Sequence, residues 1–180
     1  MMDAKLRLGI KMKKRQTRAR ANGFTLMELL IVISIMLILM LIAIPNFRSM
    51  TMTANELSAK NSLQAIYKAE IQYQTAFPAN GFTCSLAALG GDRKAGPPTP
   101  TSAQVLEGDL ATTGVKSGYT FALTNCSKQT VGNTDRYDSF TVTAVPLSVG
   151  KTGHAGFCID EYADIKSDPT GGTNCTQAVQ

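Results

Sequence analysis

A single carboxylate, that of Glu28, lies within a long apolar stretch of this chain. Residues 24–44 are 21 in number, and only Thr25, Glu28 and Ser34 among them are polar. A charged side chain in hydrocarbon costs free energy unless it lies near an interface or has a partner. We therefore expect Glu28 to form a functional charge interaction. The alternative is a carboxylate at the membrane interface that stabilises the helix N-terminus through the helix dipole.

The other side chains that often carry catalysis form no catalytic pattern. His154 is the only histidine, and it lies between Gly153 and Ala155 in a predicted turn. No serine, cysteine or second histidine is spaced around it as nucleophilic catalysis requires, and the chain has no glycine-rich phosphate loop. The sequence predicts a protein that is not an enzyme and uses no cofactor.

Four carboxylates cluster near the C-terminus, and carboxylate oxygens are the ligands that calcium prefers. Their spacing matches no defined metal-binding loop, and in a strand some of them would lie on opposite faces. We therefore expect a solvated hairpin without a metal. The four residues are Asp160, Glu161, Asp164 and Asp168.

The positive charge of the chain is concentrated before residue 24. The formal net charge is +5, but residues 1–23 contain eight basic residues and one acidic residue, which leaves −2 for residues 24–180. The latter part has no electrostatic footprint for nucleic acid. Because basic residues mark the cytoplasmic side of a membrane helix, residues 1–23 are predicted to be cytoplasmic and the part after residue 44 to be exported.

All four cysteines lie in the part that is predicted to be exported. An even number in an oxidising compartment predicts two disulfides, for which three connectivities are possible. Cys84 follows the predicted helix and Cys126 closes the first predicted strand, while Cys158 and Cys175 bracket the terminal hairpin and tail. These positions favour the pairs 84–126 and 158–175.

The apolar stretch is predicted to continue as one long helix to about residue 77. A mainly apolar run of 21 residues has the length that a helix needs to cross a bilayer. Pro45 predicts a kink in this helix because proline has no backbone N–H, and Pro78 predicts its end. In the second half, apolar residues recur at helical spacing, which predicts one face to bury. They are Ala59, Leu63, Ile66, Ala69, Tyr73 and Phe77.

Alternating apolar and polar residues predict strands at 119–124, at 140–145, from Phe157 onward and at 163–166. This alternation is typical of an antiparallel sheet with one buried face. The connection 79–118 is long for a loop and is predicted to contain short helices or turns. The predicted fold class is α+β, a long N-terminal helix with an antiparallel β-sheet packed on its second half.

The start of the apolar stretch resembles the prepilin signature of type IV pilins and of the related pseudopilins of type II secretion. The resemblance rests on Gly23-Phe24-Thr25-Leu26-Met27-Glu28-Leu29, preceded by basic residues and followed by an apolar helix that contains Pro45. It implies cleavage after Gly23 by prepilin peptidase and methylation of the new amine of Phe24. It also implies assembly contacts for Glu28 and matches Pro45 to the family's helix proline. Major pseudopilins bind calcium in C-terminal loops, which is the alternative for the acidic cluster.

Three parts are therefore expected: a basic prepilin leader at 1–23, a hydrophobic transmembrane and assembly helix at 24–51, and a pilin-like globular head at 52–180. The expected function is that of a structural subunit of a type IV pilus-like filament. Two alternatives remain, a pseudopilin of a type II secretion system and a monomeric signal-anchored extracytoplasmic binding domain.

The expected partners are other copies of the chain in a helical filament, prepilin peptidase and the pilus or secretion assembly machinery. The precursor is expected in the bacterial inner membrane, with its leader cytoplasmic and its head extracytoplasmic. The assembled subunit is expected in a surface pilus or a periplasmic pseudopilus.

Overall fold

A long helix opens the fold. The computed structural model describes residues 23–132 and 134–179, so the expectations for the leader before residue 23 lie outside the described residues. The helix, α1, runs from Leu26–Ala76, and it passes through Pro45 without interruption. It ends next to Pro78, as predicted, because the residue before a proline is disfavoured in helical geometry. The predicted kink at Pro45 stays a prediction.

The described chain forms two compact units, one that ends at Leu41 and one that begins at Ile42. In the first unit the apolar side chains of α1 are exposed on every side, from Leu26 through Leu41. By length and composition α1 is able to cross a membrane. Burial of these side chains must come from lipid or from other protein chains, since exposure of so much apolar surface to water is unfavourable.

In the second unit one face of α1 is buried and the opposite face is exposed. The exposed face carries Asn61, Gln64, Lys68 and Gln72. The burial follows the helical period that the sequence predicted, because one stripe of an amphipathic helix packs on the core. The buried residues of this stripe are Ala59, Leu63, Ile66, Ala69 and Tyr73.

Within the described residues, one antiparallel sheet has six strands in the order of the chain. The fold class is therefore α+β, as predicted. The strands are β1 Val115–Lys116, β2 Tyr119–Val131, β3 Thr134–Pro146, β4 Gly156–Asp160, β5 Ile165–Asp168 and β6 Gln177–Ala178.

The strands differ from the prediction in extent and number. β2 and β3 continue past the predicted segments through an irregular register between Thr124 and Lys128. β5 begins at Ile165 rather than at Ala163, whose φ of +68° lies in the left-handed region and not in the strand region. The two-residue strands β1 and β6 were not predicted, because two residues are too few to show alternation.

Two short helices lie in the connection between α1 and the sheet, as predicted for so long a segment. They are α2 Leu86–Leu89 and α3 Asp109–Thr112. Leu89 and Leu110 are buried, so each helix anchors the connection to the core.

The core of the second unit lies between α1 and the sheet. Phe140 of β3 is fully buried in this core. Its ring packs on that of Phe82, with centroids 4.8 Å apart, and on that of Tyr67 of α1, with centroids 6.3 Å apart. The ring of Phe157 on β4 lies 5.0 Å from Nζ of Lys60 on α1. Aromatic contacts thus hold the helix face against the sheet.

Candidate functional site

The N-terminus of α1 is closed by a reciprocal pair of side chains, Thr25 and Glu28. The Thr25 hydroxyl accepts from the backbone N–H of Glu28 at 3.2 Å, and Oε2 of Glu28 accepts from the backbone N–H of Thr25 at 2.9 Å. The hydroxyl of Thr25 also donates to Oε2 at 2.8 Å. This is a capping box, which satisfies N–H groups that a helix start leaves without partners.

The capping box holds one carboxylate oxygen and leaves the other available. Oε1 of Glu28 forms no hydrogen bond with any described residue. Ser34, the remaining polar residue of the stretch, donates its hydroxyl to the Leu30 carbonyl at 2.7 Å. Between residues 23 and 44, Glu28 therefore supplies the charged acceptor that a cation could approach.

Gly23 and Phe24 are both exposed, and Phe24 has 82% of its surface accessible. A Cβ built on Gly23 meets no atom within 4 Å. The part of the chain that the structure describes therefore does not need a glycine at this position. A requirement for glycine here has to come from whatever binds the peptide bond after it, because glycine permits the closest approach to the backbone.

Two disulfides hold the second unit together. Cys84 pairs with Cys126 and Cys158 with Cys175, each with Cα atoms 6.0 Å apart. These are the pairs that the sequence favoured. The first ties the segment after α1 to β2, and the second ties β4 to the C-terminal tail.

Two of the four C-terminal carboxylates, those of Asp160 and Asp168, accept hydrogen bonds from groups of their own turns. Oδ1 of Asp160 accepts from the N–H groups of Tyr162 and Asp164, at 3.1 and 3.3 Å. Oδ1 of Asp168 accepts from Thr170 N and Oγ1, and its Oδ2 accepts from Asn174 N at 3.0 Å. These bonds lower the pKa of Asp168. No three His, Cys, Asp or Glu side chains of the described residues are placed together as a metal site.

His154 lies in the loop between β3 and β4 and is exposed. Its backbone N–H donates to Oε1 of Glu56 on α1 at 2.8 Å. The residue thus joins the loop to the helix through its backbone.

The sequence patterns above did not predict that the carboxyl group of Glu70 on α1 is buried. Its Oε2 accepts from the backbone N–H of Thr83 at 2.9 Å, while its buried Oε1 has no partner among the described residues. Burial raises the pKa of Glu70 to about 8, and burial together with the nearby Glu70 raises the pKa of Tyr73. Periodicity could have found it, because position 70 follows Leu63 by seven residues and Ile66 by four, on the buried face.

Comparison with known proteins points to the N-terminal stretch. A family model described as the prokaryotic N-terminal methylation motif matches residues 18–44. The chain is similar to the Type IV major pilin protein PilA of Myxococcus xanthus (strain DK1622), with 42% identity over 59 residues. That match covers 33% of this chain and 27% of the relative, so it spans about a quarter of the relative's length. No solved structure matches.

The motif and the fold together confirm the resemblance seen in the sequence. The methylation motif includes Gly23, Phe24 and Glu28. A long, apolar N-terminal helix is followed by an antiparallel sheet, which is consistent with the α+β fold of a type IV pilin.

Proposed function

From this type IV pilin-type N-terminus, we propose that the chain is a structural subunit of a type IV pilus-like filament. Prepilin peptidase would cut the precursor after Gly23 and methylate the amine of Phe24. The observation that carries the proposal is the surface of the first half of α1, which exposes apolar side chains on every side and bears one carboxylate. This half of the helix precedes a disulfide-bonded head in the chain. Such a surface suits a helix that is surrounded first by lipid and then by copies of itself.

Helix packing in the filament needs more than the removal of apolar surface from water. Lipid is itself apolar, so close packing and polar pairing must favour association of the helices. Glu28 is suited to this task. Cleavage would create an α-amine at Phe24, and an amine and a carboxylate of neighbouring copies would neutralise each other and set the axial stagger between subunits.

The geometry of Glu28 supports this pairing. Thr25 occupies Oε2 and orients the carboxylate toward the start of the helix, while Oε1 forms no bond with the described residues. The capping box therefore leaves one acceptor oxygen of Glu28 available to the amine of a neighbouring copy. A pair formed in a low-dielectric bundle would be stronger than one at a protein surface.

The proposed parts of the chain are a leader at 1–23, an assembly helix at 24–51 and a head at 52–180. The leader would stay in the cytoplasm, the helix in the inner membrane, and the head outside the cytoplasm until assembly. Pro45 would provide the bend by which the helices fit together. The partners would be further copies of the chain, the peptidase and the assembly machinery.

The test is replacement of Glu28 in the full-length chain in cells that assemble it. Glu28→Ala is expected to leave the precursor inserted in the membrane but to abolish normal filaments. Ser34→Ala is the matched control, since it removes a polar group that is satisfied within the helix. Normal filaments from the Glu28→Ala variant would contradict the charge-pairing step.

Two further measurements separate this function from its alternatives. N-terminal mass spectrometry should find a methylated Phe24 at the start of the mature chain, and a monomeric signal-anchored binding domain would retain residues 1–23. Electron microscopy of sheared surface material should show long fibres, whereas a pseudopilin would share the processing without them. The similarity to a protein named as a major type IV pilin favours the fibre.

A further inference from the structure

We propose that a basic surface beside α1 binds the phosphate groups of anionic phospholipid while the helix is in the membrane. The surface, called the rim patch here, consists of Arg48 and Met52 of α1 with Gly150 and Lys151 of the β3–β4 loop. These four residues line one cavity of about 360 Å³. The inference rests on the proposed function, because it requires α1 to be inserted.

Both cations of the rim patch are available to a ligand. The side chains of Arg48 and Lys151 are exposed, and neither forms an ion pair with a carboxylate of the described residues. The nearest acidic residue on the same part of α1, Glu56, uses Oε1 to accept from the backbone N–H groups of His154 and Ala155, at 2.8 and 3.5 Å. The patch therefore presents two positive charges that are available to an anion.

The loop that carries Lys151 is fixed against α1. Asn55 of α1 donates through Nδ2 to the carbonyl of Thr152 at 2.9 Å. Within the loop, the N–H groups of Lys151 and Thr152 both donate to the Ser148 carbonyl, at 3.0 and 2.9 Å, and that of Gly150 donates to Gly153. The backbone of Lys151 is thereby held near Arg48 before any ligand binds, so the ordering cost of binding falls on the two side chains and not on the loop.

The position of Arg48 along α1 corresponds to the depth of lipid headgroups. The apolar stretch ends at Ile44, and Arg48 follows it by four residues, or about 6 Å at 1.5 Å per residue. The helical part of the stretch, from Leu26 to Ile44, spans about 28 Å, close to the thickness of the hydrocarbon layer. The guanidinium thus reaches the layer of phosphates when the apolar stretch fills the bilayer.

The loop also has the side chains of an interfacial segment. Leu147 and Val149 precede Lys151 on the loop and are 59% and 57% exposed. Exposed aliphatic side chains next to a basic residue are typical of segments that lie in the headgroup region, where the aliphatic part enters the acyl boundary and the charge meets phosphate. Charge and depth together favour phospholipid over a carboxylate of a second copy.

Hydrogen exchange of the full-length chain in vesicles tests the proposal. The chain is compared in phosphatidylcholine vesicles with and without phosphatidylglycerol. Amides of residues 148–153 are expected to exchange more slowly with the anionic lipid, by roughly fivefold for each basic residue that reaches it. Arg48→Gln together with Lys151→Gln should remove this difference. Lys68→Gln together with Lys94→Gln, two exposed lysines elsewhere, is the charge-matched control and should retain it.

The same measurement separates this inference from the proposed function. Strong protection of the amides of residues 26–44 in both kinds of vesicle shows that the helix is inserted, whereas exchange there would overturn both proposals. Two results would overturn the rim patch alone, provided that the helix is inserted. One is that exchange at residues 148–153 does not depend on the lipid, and the other is that a lipid-dependent change in exchange persists in the Arg48/Lys151 variant. Protection of 148–153 that arises in assembled filaments and not in vesicles would assign the surface to a second copy and would also overturn the lipid assignment.

Discussion

Glu70 accepts a hydrogen bond from the backbone N–H of Thr83 at 2.9 Å through Oε2, and its Oε1 is buried without a partner among the described residues. The bond fastens the segment after α1 to the helix, next to the cysteine at position 84. An ionised carboxylate with an unpaired buried oxygen is costly, and the raised pKa of about 8 keeps the group protonated at neutral pH.

Stability of the head should therefore fall as pH rises. In the unfolded chain Glu70 would titrate near its ordinary pKa of 4.5, and in the folded chain near 8. Its contribution is fully present below about pH 4.5 and is lost progressively up to about pH 8, with a slope of at most about 1.4 kcal/mol per pH unit. Urea unfolding of the full chain in detergent at several pH values measures this loss.

Glu70→Gln is the matched variant for that prediction, because the amide keeps an acceptor for Thr83 and cannot ionise. Its stability should change less between pH 5 and pH 8 than that of the wild type. Glu107→Gln, an exposed carboxylate on the connection, should leave the wild-type slope unchanged. Equal slopes in the Glu70→Gln variant and the wild type would show that Glu70 is ionised in the folded chain.

Loss of the Thr25 hydroxyl should leave the carboxylate of Glu28 with only the backbone N–H of residue 25 as a donor. Thr25→Val removes both hydrogen bonds that involve the hydroxyl and should destabilise the start of α1 by about 1 kcal/mol. Faster hydrogen exchange at residues 26–29 and a reduced yield of filaments are expected. Thr25→Ser keeps the capping box and should behave as the wild type, and an assembly defect of equal size in both variants would contradict the role of the hydroxyl.

The two disulfides should differ in their contribution to stability. The 84–126 pair closes 42 residues and the 158–175 pair closes 17, so chain entropy assigns about 4 kcal/mol to the first and about 3 kcal/mol to the second. Replacement of each pair by serines, followed by denaturant unfolding, compares them. A greater loss on removal of the 158–175 pair would show that native contacts of the tail outweigh the entropy of the unfolded chain.

Asp168 should stabilise the C-terminal turn in its ionised form. Its hydrogen bonds from Thr170 and Asn174 lower its pKa below the ordinary 3.8, so its contribution is present above about pH 4 and is lost as pH falls through the lowered value. Asp168→Asn should reduce the melting temperature at neutral pH, since an amide places a donor against one of these N–H groups. Asp164→Asn, an exposed neighbour, should not.

The agreement between sequence and structure is best where a pattern is local and repeated. The helix face from Ala59 to Tyr73 repeats over several turns, so its burial follows from spacing alone. The strands at Tyr119 and Phe140 show clear alternation for the same reason. β6 consists of two residues and forms because it pairs with β5. No local pattern in the sequence predicts this pairing.

What the sequence by itself determined is the N-terminal part: the methylation motif, the lone acid at 28 and the apolar stretch. A motif and an apolar run of membrane-spanning length are both local patterns along the chain. Tertiary structure decided that Glu70 loses its solvent, and it selected the favoured one of the three cysteine connectivities that the sequence left open. It also decided that Lys151 lies beside Arg48, more than a hundred residues away. These outcomes depend on contacts between segments that are distant in the sequence and that meet only when the chain folds. The residue types along one segment do not specify which other segment it will contact.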